Sequence, residues 1–194
     1  GSPVNYSEWQ MNTIAEQPIR AGRDNDRTEH HQLPRNSYEA LARCADLWPA
    51  SEGVVFPLSN KRLTFSQWLS QAQRLGEGLR RLGIGEGDTV ALWAENRIEW
   101  AVTQTALAAI GAVLVPINTH FREQDLRFVL NHSQAKAILF SKRFRSSNYL
   151  DMVTGQQPDT PSLQHMVCFD AVDQPGIVAY ETLLKGQDHH FVPA

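Results

Sequence analysis

The sequence predicts an α/β fold, in which a mostly parallel sheet is flanked by helices and preceded by a β-hairpin. From Thr89 onward, short apolar runs alternate with amphipathic segments, and this pattern is typical of strands joined by helical crossovers. The runs are continuously apolar, as expected for strands that are covered on both faces of a sheet. Ahead of them, segments 53–57 and 62–65 flank a short polar turn, which indicates the hairpin.

Composition and charge indicate a globular protein and exclude two classes of partner. The 194 residues are enough for one domain with a substantial core, and 42% hydrophobic with 20% charged residues is a globular balance. A net charge of −3 with scattered basic residues predicts neither nucleic-acid nor membrane-surface binding. No apolar run reaches the ~18 residues of a membrane span, and the N-terminus lacks a signal-peptide pattern. Cys44 and Cys168 belong to no motif, so we expect two buried thiols in a cytoplasmic protein.

Residues 1–35 are expected to be a tag remnant followed by a flexible N-terminal arm, and residues 36–194 to form the α/β unit. Gly1 and Ser2 are typical of a cloning remnant, and the segment after them is polar without a sustained period. The histidine pairs at 30–31 and 189–190 lack cysteine or acidic partners at ligand spacing. They therefore predict no metal site.

The first two helices have recognisable ends. Asn36 and Glu39 fit a capping box, and the helix that they open should stop before Pro49. Ser66 is the expected N-cap of the second helix, which should end at Gly83. The apolar stripe of the second helix comprises Trp68, Leu69, Ala72, Leu75, Leu79 and Leu82.

The glycine-rich segment GIGEGD at 83–88 could be mistaken for a dinucleotide-binding loop. Such a loop runs from a strand into a helix, so that the amides at the start of the helix face the phosphates. Here the order is reversed, since a helix precedes the glycines and a strand follows them. We therefore interpret the segment as a turn.

A second capping box and a helix-ending glycine predict a third helix, and a strand is predicted after it. Asn96 and Glu99 fit another capping box, Gly111 is the expected helix end, and the run AVLV at 112–115 reads as a central strand. Pairing should stop at Pro116, which has no N–H to donate. Further elements are predicted at 122–132 (helix), 135–141 (strand) and 165–170 (strand).

The polar loop at 118–121 then falls at the carboxyl edge of the sheet. That edge is where open α/β sheets bind ligands. The loop is therefore the first candidate site in the sequence.

The chain resembles the N-terminal part of the AMP-forming acyl-CoA synthetases, members of the adenylate-forming superfamily with luciferases and peptide-synthetase adenylation domains. LTFSQW and LAAIGAVLVPIN stand where the family has its first two short core motifs, and GIGEGDTVALWAEN matches the connection between them. PINTHFREQDLRFVLNHSQAKAILF is more similar to CoA ligases than to peptide-synthetase domains. The resemblance covers residues 36–153 and extends through YETLLKG.

The resemblance implies a two-step ligase acting on a fatty or aromatic acid. A carboxylate attacks the α-phosphate of Mg-ATP to give an acyl-adenylate and pyrophosphate, and the thiol of CoA then displaces AMP. The family's Ser/Thr/Gly-rich phosphate loop ending in Pro-Lys-Gly does not occur in this sequence. We therefore expect an inactive N-terminal fragment, truncated before that loop and without catalytic residues. ATP, Mg and CoA serve the full-length enzyme, and none is expected to bind the fragment tightly.

The resemblance also implies a place for the CoA nucleotide. The loop residues Asn118, Thr119 and His120 match the family's CoA-holding loop, and Arg143 or Arg145 stands where a basic residue meets the 3′-phosphate. Alternatively, Asn118 only ends a strand and the basic segment is a solvated turn.

Other readings of the sequence remain open. Trp93, Trp100 and Phe121 are candidates for an acyl pocket, but core packing is the expected role of the two tryptophans. The chain could instead be a truncated scaffold or binding module, or a stand-alone flavodoxin-like domain with a small ligand. A ligase fragment should expose an apolar face that the missing part normally covers, and should self-associate through it.

Overall fold

The computed structural model describes residues 33–57, 60–185 and 191–194. The predicted arm with its histidine pair at 30–31, the turn at 58–59 and the second pair at 189–190 lie outside these ranges. The helices described are α1 (Ser37–Leu47), α2 (Phe65–Arg81), α3 (Ile98–Ala109), α4 (Glu123–Ser133), α5 (Tyr149–Thr154) and α6 (Tyr180–Leu183). The strands described are β1 (Glu52–Phe56), β2 (Lys61–Thr64), β3 (Thr89–Trp93), β4 (Val113–Pro116), β5 (Ala137–Phe140), β6 (Arg143–Phe144), β7 (Ser147–Asn148), β8 (His165–Cys168) and β9 (Ile177–Ala179).

The main sheet confirms the predicted fold class. Its five strands are all parallel and lie in the order β4-β3-β5-β8-β9. Strands β1 and β2 pair antiparallel as the predicted hairpin. The chain moves from β3 to β4 on one side and then crosses to β5 on the other side. The order is therefore flavodoxin-like, with its switch point between the carboxyl ends of β3 and β5.

Both faces of the sheet are covered, as the continuous apolar runs predicted. On β3, Val90 and Leu92 pack into a core with α2, α3 and α6, whereas Ala91 and Trp93 pack into a second core with α4 and α5. All four side chains are fully buried. Burying one such aliphatic side chain stabilises the fold by about 1.5–3 kcal/mol, so the two cores hold β3 rigidly between them.

The prediction that 112–115 is a central strand is wrong, because β4 lies at the edge of the sheet. Val113 is 50% exposed there. The N–H of Val113 donates to the carbonyl of Asp88, the residue before β3, at 2.8 Å, and the N–H of Ile117 donates to the carbonyl of Leu92 on β3 at 2.9 Å. Pro116 lies between these donors in the alternating pattern, so its nitrogen faces the free edge, where no donor is required. Regular pairing ends at Pro116 as predicted, and the N–H of Ile117 makes one further hydrogen bond to β3.

The capping box predicted for α1 is only half formed. The side-chain oxygen of Asn36 accepts from the N–H of Glu39 at 3.0 Å. The carboxylate of Glu39 accepts from the N–H of Arg35 at 2.7 Å and also pairs with the Arg35 guanidinium. The predicted start of the helix is right. The Glu39 carboxylate, however, accepts from the residue before the N-cap instead of from the N-cap itself.

Helix α2 begins two residues earlier than the Ser66 cap predicted. Thr64 is the N-cap: its side chain accepts from the N–H of Gln67, and the Gln67 side chain accepts from the N–H of Thr64. The helix ends as expected, and Gly83 follows it with φ of +79°. Glycine adopts this left-handed backbone without steric cost.

The capping box predicted for α3 at Asn96 is wrong. Arg97 occupies the N-cap position and makes no capping hydrogen bond with its side chain. The carboxylate of Glu99, expected to reach back to a backbone N–H, instead accepts from Nε of Arg97 at 2.8 Å. An ion pair has therefore replaced a cap at this helix end.

Candidate functional site

Polar loops follow neighbouring strands at the carboxyl edge of the sheet. The predicted loop at 118–120 follows β4, and the β6–β7 hairpin with its arginines follows β5. A third polar group, described below, follows β3 and β8. Because parallel strands end at the same edge, these loops share one side of the molecule.

The loop after β4 is an ordered turn with outward side chains. The side-chain oxygen of Asn118 accepts from the N–H of His120 at 2.9 Å and lies 3.3 Å from Nδ1 of that residue. Asn118 and His120 are exposed, and Thr119 is half-buried. Within the described residues no carboxylate pairs with His120, so the geometry offers it no partner for general-base chemistry.

Two buried aromatic side chains hold this loop from below. Nε1 of Trp93 donates to the carbonyl of Asn118 at 3.0 Å, and the hydroxyl of Tyr149 donates to the carbonyl of Thr119 at 2.6 Å. The two rings stack on each other with centroids 3.7 Å apart and planes at 11°. Two consecutive loop carbonyls therefore point toward the core, and the polar side chains are left at the surface.

The basic segment after β5 is a tight hairpin rather than an unstructured turn. Arg143 pairs with Asn148 across it, and Arg145 has a left-handed backbone with φ of +52°. The guanidinium of Arg145 lies over the Phe144 ring at 5.3 Å, and that ring contacts Tyr149 with centroids 6.3 Å apart. Both arginines are exposed, and neither has a carboxylate partner within the described residues.

The structure therefore brings the predicted site residues to one edge and links them. Tyr149 contacts the hairpin through Phe144 and the β4 loop through Thr119. Within the described part of the chain, no group of three or more His, Cys, Asp or Glu side chains is arranged to hold a metal ion. The edge offers amide, imidazole and guanidinium groups, and these suit an anionic organic ligand.

A second polar cluster at this edge was not predicted from the sequence. Arg97 donates to Asp170 at 3.2 Å, to Oγ of Ser141 at 3.1 Å and to Glu99 at 2.8 Å. The backbone N–H of Lys142 also donates to Asp170, at 2.7 Å. The cluster lines a cavity of about 240 Å³. The rule that singled out the β4 loop could have found it, since these residues also follow β3, β5 and β8.

The charges of this second cluster are neutralised within it. Burial acts to lower the pKa of Arg97. The hydrogen bonds to Glu99 and Asp170 outweigh burial, so that this pKa lies above its ordinary value. Burial also acts to raise the pKa of Glu99, but the hydrogen bond and charge of Arg97 bring it below its ordinary value of 4.5. Both groups stay ionised at neutral pH. Their hydrogen-bonding atoms are already engaged with other residues of the cluster.

The aromatic residues considered for an acyl pocket are divided between the two faces of the sheet. Trp93 is fully buried in the core against α4 and α5, and Phe121 packs partly buried against that core. Trp100 packs against the other core, across the sheet. Both cysteines are free thiols; Cys168 is buried as expected, but Cys44 is only partly buried. No helix in the described ranges is both long and apolar enough to cross a membrane.

A family model described as AMP-binding enzyme matches residues 41–192. With that match over most of its length, the chain belongs to the AMP-binding enzyme family. The expected resemblance to the adenylate-forming enzymes is confirmed. The flavodoxin-like alternative shares the strand order of the sheet, but the family match assigns the domain differently.

Similar proteins are acyl-CoA synthetases and CoA ligases. The acyl-CoA synthetase YngI of Bacillus subtilis (strain 168) is 40% identical over 119 residues, which are 61% of this chain and 22% of that protein. The mitochondrial medium-chain acyl-CoA ligase ACSF2 of Rattus norvegicus is 29% identical over 137 residues, 71% of this chain and 22% of the relative. The chain thus spans 22% of the length of these relatives.

A solved structure confirms the fold independently. The anthranilate CoA ligase AuaEII, in complex with anthranoyl-AMP, superposes with a TM-score of 0.75 at 22% identity. The match covers 84% of this chain and 30% of that one. At this identity the likeness shows the fold alone, and it agrees with the parallel sheet described above.

Proposed function

We propose that this chain is the N-terminal part of an AMP-forming carboxylate–CoA ligase of the cytoplasm. The full-length enzyme would activate a fatty or aromatic acid as an acyl-adenylate and transfer the acyl group to CoA. The family match over 41–192 carries this proposal. The names of the relatives support it, since both are enzymes that join an acid to CoA.

Within that enzyme, the carboxyl-edge loops of this chain bind the nucleotide of CoA. The exposed guanidinium groups of Arg143 and Arg145 meet its 3′-phosphate, because their planar donors match phosphate oxygens and no carboxylate occupies them in the described residues. The side chains of Asn118 and His120 and the backbone at Thr119 contact the adenosine. The absence of competing carboxylates at this hairpin is the observation that favours it over the Arg97 cluster.

No step of adenylation is assigned to residues of this chain. ATP and Mg are cofactors of the full-length reaction, and the described residues do not provide a fitting set of metal ligands. The phosphate-loop sequence of the family does not occur among the 194 residues. The contribution of this chain is therefore binding and scaffolding.

ATP–pyrophosphate exchange tests the first part of the proposal. The purified chain is assayed with Mg and a panel of short, long and aromatic acids, beside a full-length ligase that contains the same sequence. Exchange is expected only from the full-length enzyme. Exchange above background from the 194-residue chain would show that adenylation does not require the absent loop, and the proposal would then be wrong.

The second part of the proposal concerns apolar surface. Phe128 on α4 is 68% exposed and stacks on His132, and Val113 on the edge strand is 50% exposed. The rest of the ligase would cover such surface, and the isolated chain would use it to self-associate. Sedimentation velocity at increasing concentration measures this association, and a strictly monomeric chain contradicts it.

A further inference from the structure

Tyr149 occupies an unusual place for a core tyrosine. It is fully buried and begins α5, and its ring stacks on Trp93. Its hydroxyl nevertheless reaches the surface loop and donates to the carbonyl of Thr119 at 2.6 Å. A phenylalanine would fill the same core volume without making this bond. The hydroxyl therefore does something that packing alone does not require.

The neighbouring contacts give that hydrogen bond a consequence. The carbonyl of Asn118, adjacent in the chain, accepts from Nε1 of Trp93 at 3.0 Å and from the N–H of Phe121 at 3.0 Å. Together these bonds turn two consecutive carbonyls inward. The orientation of the exposed side chains in the loop follows from that backbone arrangement.

Tyr149 also contacts the arginine hairpin. Its ring lies 6.3 Å from that of Phe144, centroid to centroid, and Phe144 carries the guanidinium of Arg145 over its face at 5.3 Å. One side chain thus contacts both halves of the site. A change at this side chain should alter the spacing between the loop and the arginines.

We propose that Tyr149 is a positioning residue for the CoA-nucleotide site, and that its hydroxyl fixes the loop at 118–120 relative to the arginine hairpin. This inference rests on the proposed function. Burial and the charge of Glu95 raise the pKa of Tyr149 to about 12. The hydroxyl therefore stays protonated at neutral pH and can donate to the carbonyl of Thr119.

The chain offers a matched control in Tyr180. Its side chain is 2% exposed, and its buried hydroxyl has no hydrogen-bond partner in the described structure. It lies in the other core, on the opposite face of the sheet. Tyr149→Phe and Tyr180→Phe therefore delete the same atom from two buried tyrosines, only one of which holds the loop.

The experiment uses the ¹⁵N-labelled 194-residue chain and each variant, with adenosine 3′,5′-bisphosphate as the probe. Amide exchange of Phe121 is measured without ligand, and the dissociation constant is obtained from amide shifts in a titration. In Tyr149→Phe we expect faster exchange at Phe121 and an affinity about fivefold weaker, the effect of one lost hydrogen bond. Tyr180→Phe should change neither quantity. Thermal unfolding of both variants is recorded in parallel.

The outcomes separate this inference from the proposed function. Binding to the parent chain with unchanged exchange and affinity in Tyr149→Phe overturns the positioning role. Equal losses in both variants, together with equal shifts in melting temperature, also overturn it, because they indicate a general packing effect. The titration is repeated with a full-length ligase that contains the same sequence, and if neither protein binds the probe, the proposed nucleotide site fails. Phe121 exchange then decides alone whether the hydroxyl holds the loop, with faster exchange in Tyr149→Phe supporting it and unchanged exchange overturning it.

Discussion

Two arginine-containing regions lie at the same edge of the sheet and differ in what their guanidinium groups contact. The Arg97 side chain is 16% exposed, and its donors already bind Glu99, Ser141 and Asp170. Arg143 and Arg145 are exposed and have no carboxylate partner in the described part of the chain. Position at a sheet edge therefore identifies candidate ligand sites, but only the local contacts show which arginines lack a carboxylate partner.

The Arg97 cluster connects elements that are distant in the chain. Arg97 is the N-cap residue of α3 and Asp170 follows β8, and Nζ of Lys61 on the hairpin strand β2 donates to Glu99 at 3.3 Å. Exposed ion pairs contribute only about 0–1 kcal/mol. A partly buried arginine with several carboxylate partners is different, because removing it takes the main partner from carboxylates that are partly desolvated.

The largest expected effect is the loss of Arg97. In Arg97→Met the methylenes are largely kept and the charge is removed, so Glu99 and Asp170 lose their main partner. We expect the free energy of unfolding to fall by about 2–3 kcal/mol, measured by urea denaturation. The same substitution at Arg143 should change it by less than about 0.5 kcal/mol. Similar losses from both variants would contradict the distinction between the two regions.

Urea denaturation at a series of pH values should show a smaller effect, which arises from the carboxyl group of Glu99. Its pKa is lower in the folded protein than its ordinary 4.5, so the folded state releases this proton more readily than the unfolded state does. The resulting stabilisation is complete above about pH 5 and disappears as the pH falls through the lowered folded pKa.

Glu99→Gln should therefore lower stability at pH 7 more than at pH 3. Burial of Glu99 acts against this effect, and the pairing with Arg97 drives it. In the Arg97→Met background the pH-dependent part of the Glu99→Gln effect should largely vanish, since the two residues act as a pair. An unchanged pH dependence in that background would show that Arg97 does not stabilise the Glu99 carboxylate.

The fold could be predicted from the sequence because its main signals are local. Continuous apolar runs such as the one at 89–94 are visible without knowledge of their neighbours, and so are helical stripes. The order of strands is not local, and β4 was assigned to the centre although it lies at the edge. Pro116 was a usable signal, because proline in a sheet favours edge strands.

The candidate site was predicted only in part, for a related reason. The loop at 118–120 could be found from its position after a strand. The side chains that hold it could not, because Trp93 and Tyr149 lie 25 and 30 residues from the carbonyls that they bind. Arg97 and Asp170 are separated by 73 residues. Such pairs are fixed by tertiary packing, which no short motif records.

A third prediction concerns Arg145, whose left-handed backbone favours glycine. Replacing it by glycine removes steric strain, and we expect the free energy of unfolding to rise by about 0.5–1 kcal/mol. If Arg145 contacts the ligand, the same variant should bind adenosine 3′,5′-bisphosphate several-fold more weakly than the parent chain. Higher stability with unchanged affinity would show that the strain serves no binding purpose, and Arg143 alone would remain as the phosphate ligand.

The smallest effect on stability is expected for Arg143. A variant at this position is also the most direct test of the hairpin that carries Arg143 and Arg145. Arg143→Ala should leave the free energy of unfolding within about 0.5 kcal/mol of the parent value, because the side chain is exposed. It should weaken binding of adenosine 3′,5′-bisphosphate by about three- to tenfold, the range for a lost charged hydrogen bond.

The specificity of that loss identifies the group that Arg143 meets. Binding of 5′-AMP, which lacks the 3′-phosphate, should be unchanged in Arg143→Ala. Arg80 provides the control, because its guanidinium donates to the carbonyl of Val192 at 2.7 Å near the end of α2, which leads to the amino edge of the sheet. Arg80→Ala removes the same charge far from the loops and should leave both affinities unchanged. Equal weakening of the two nucleotides by Arg143→Ala would mean that Arg143 acts through general charge attraction, and a 3′-phosphate site at this hairpin would then have no support.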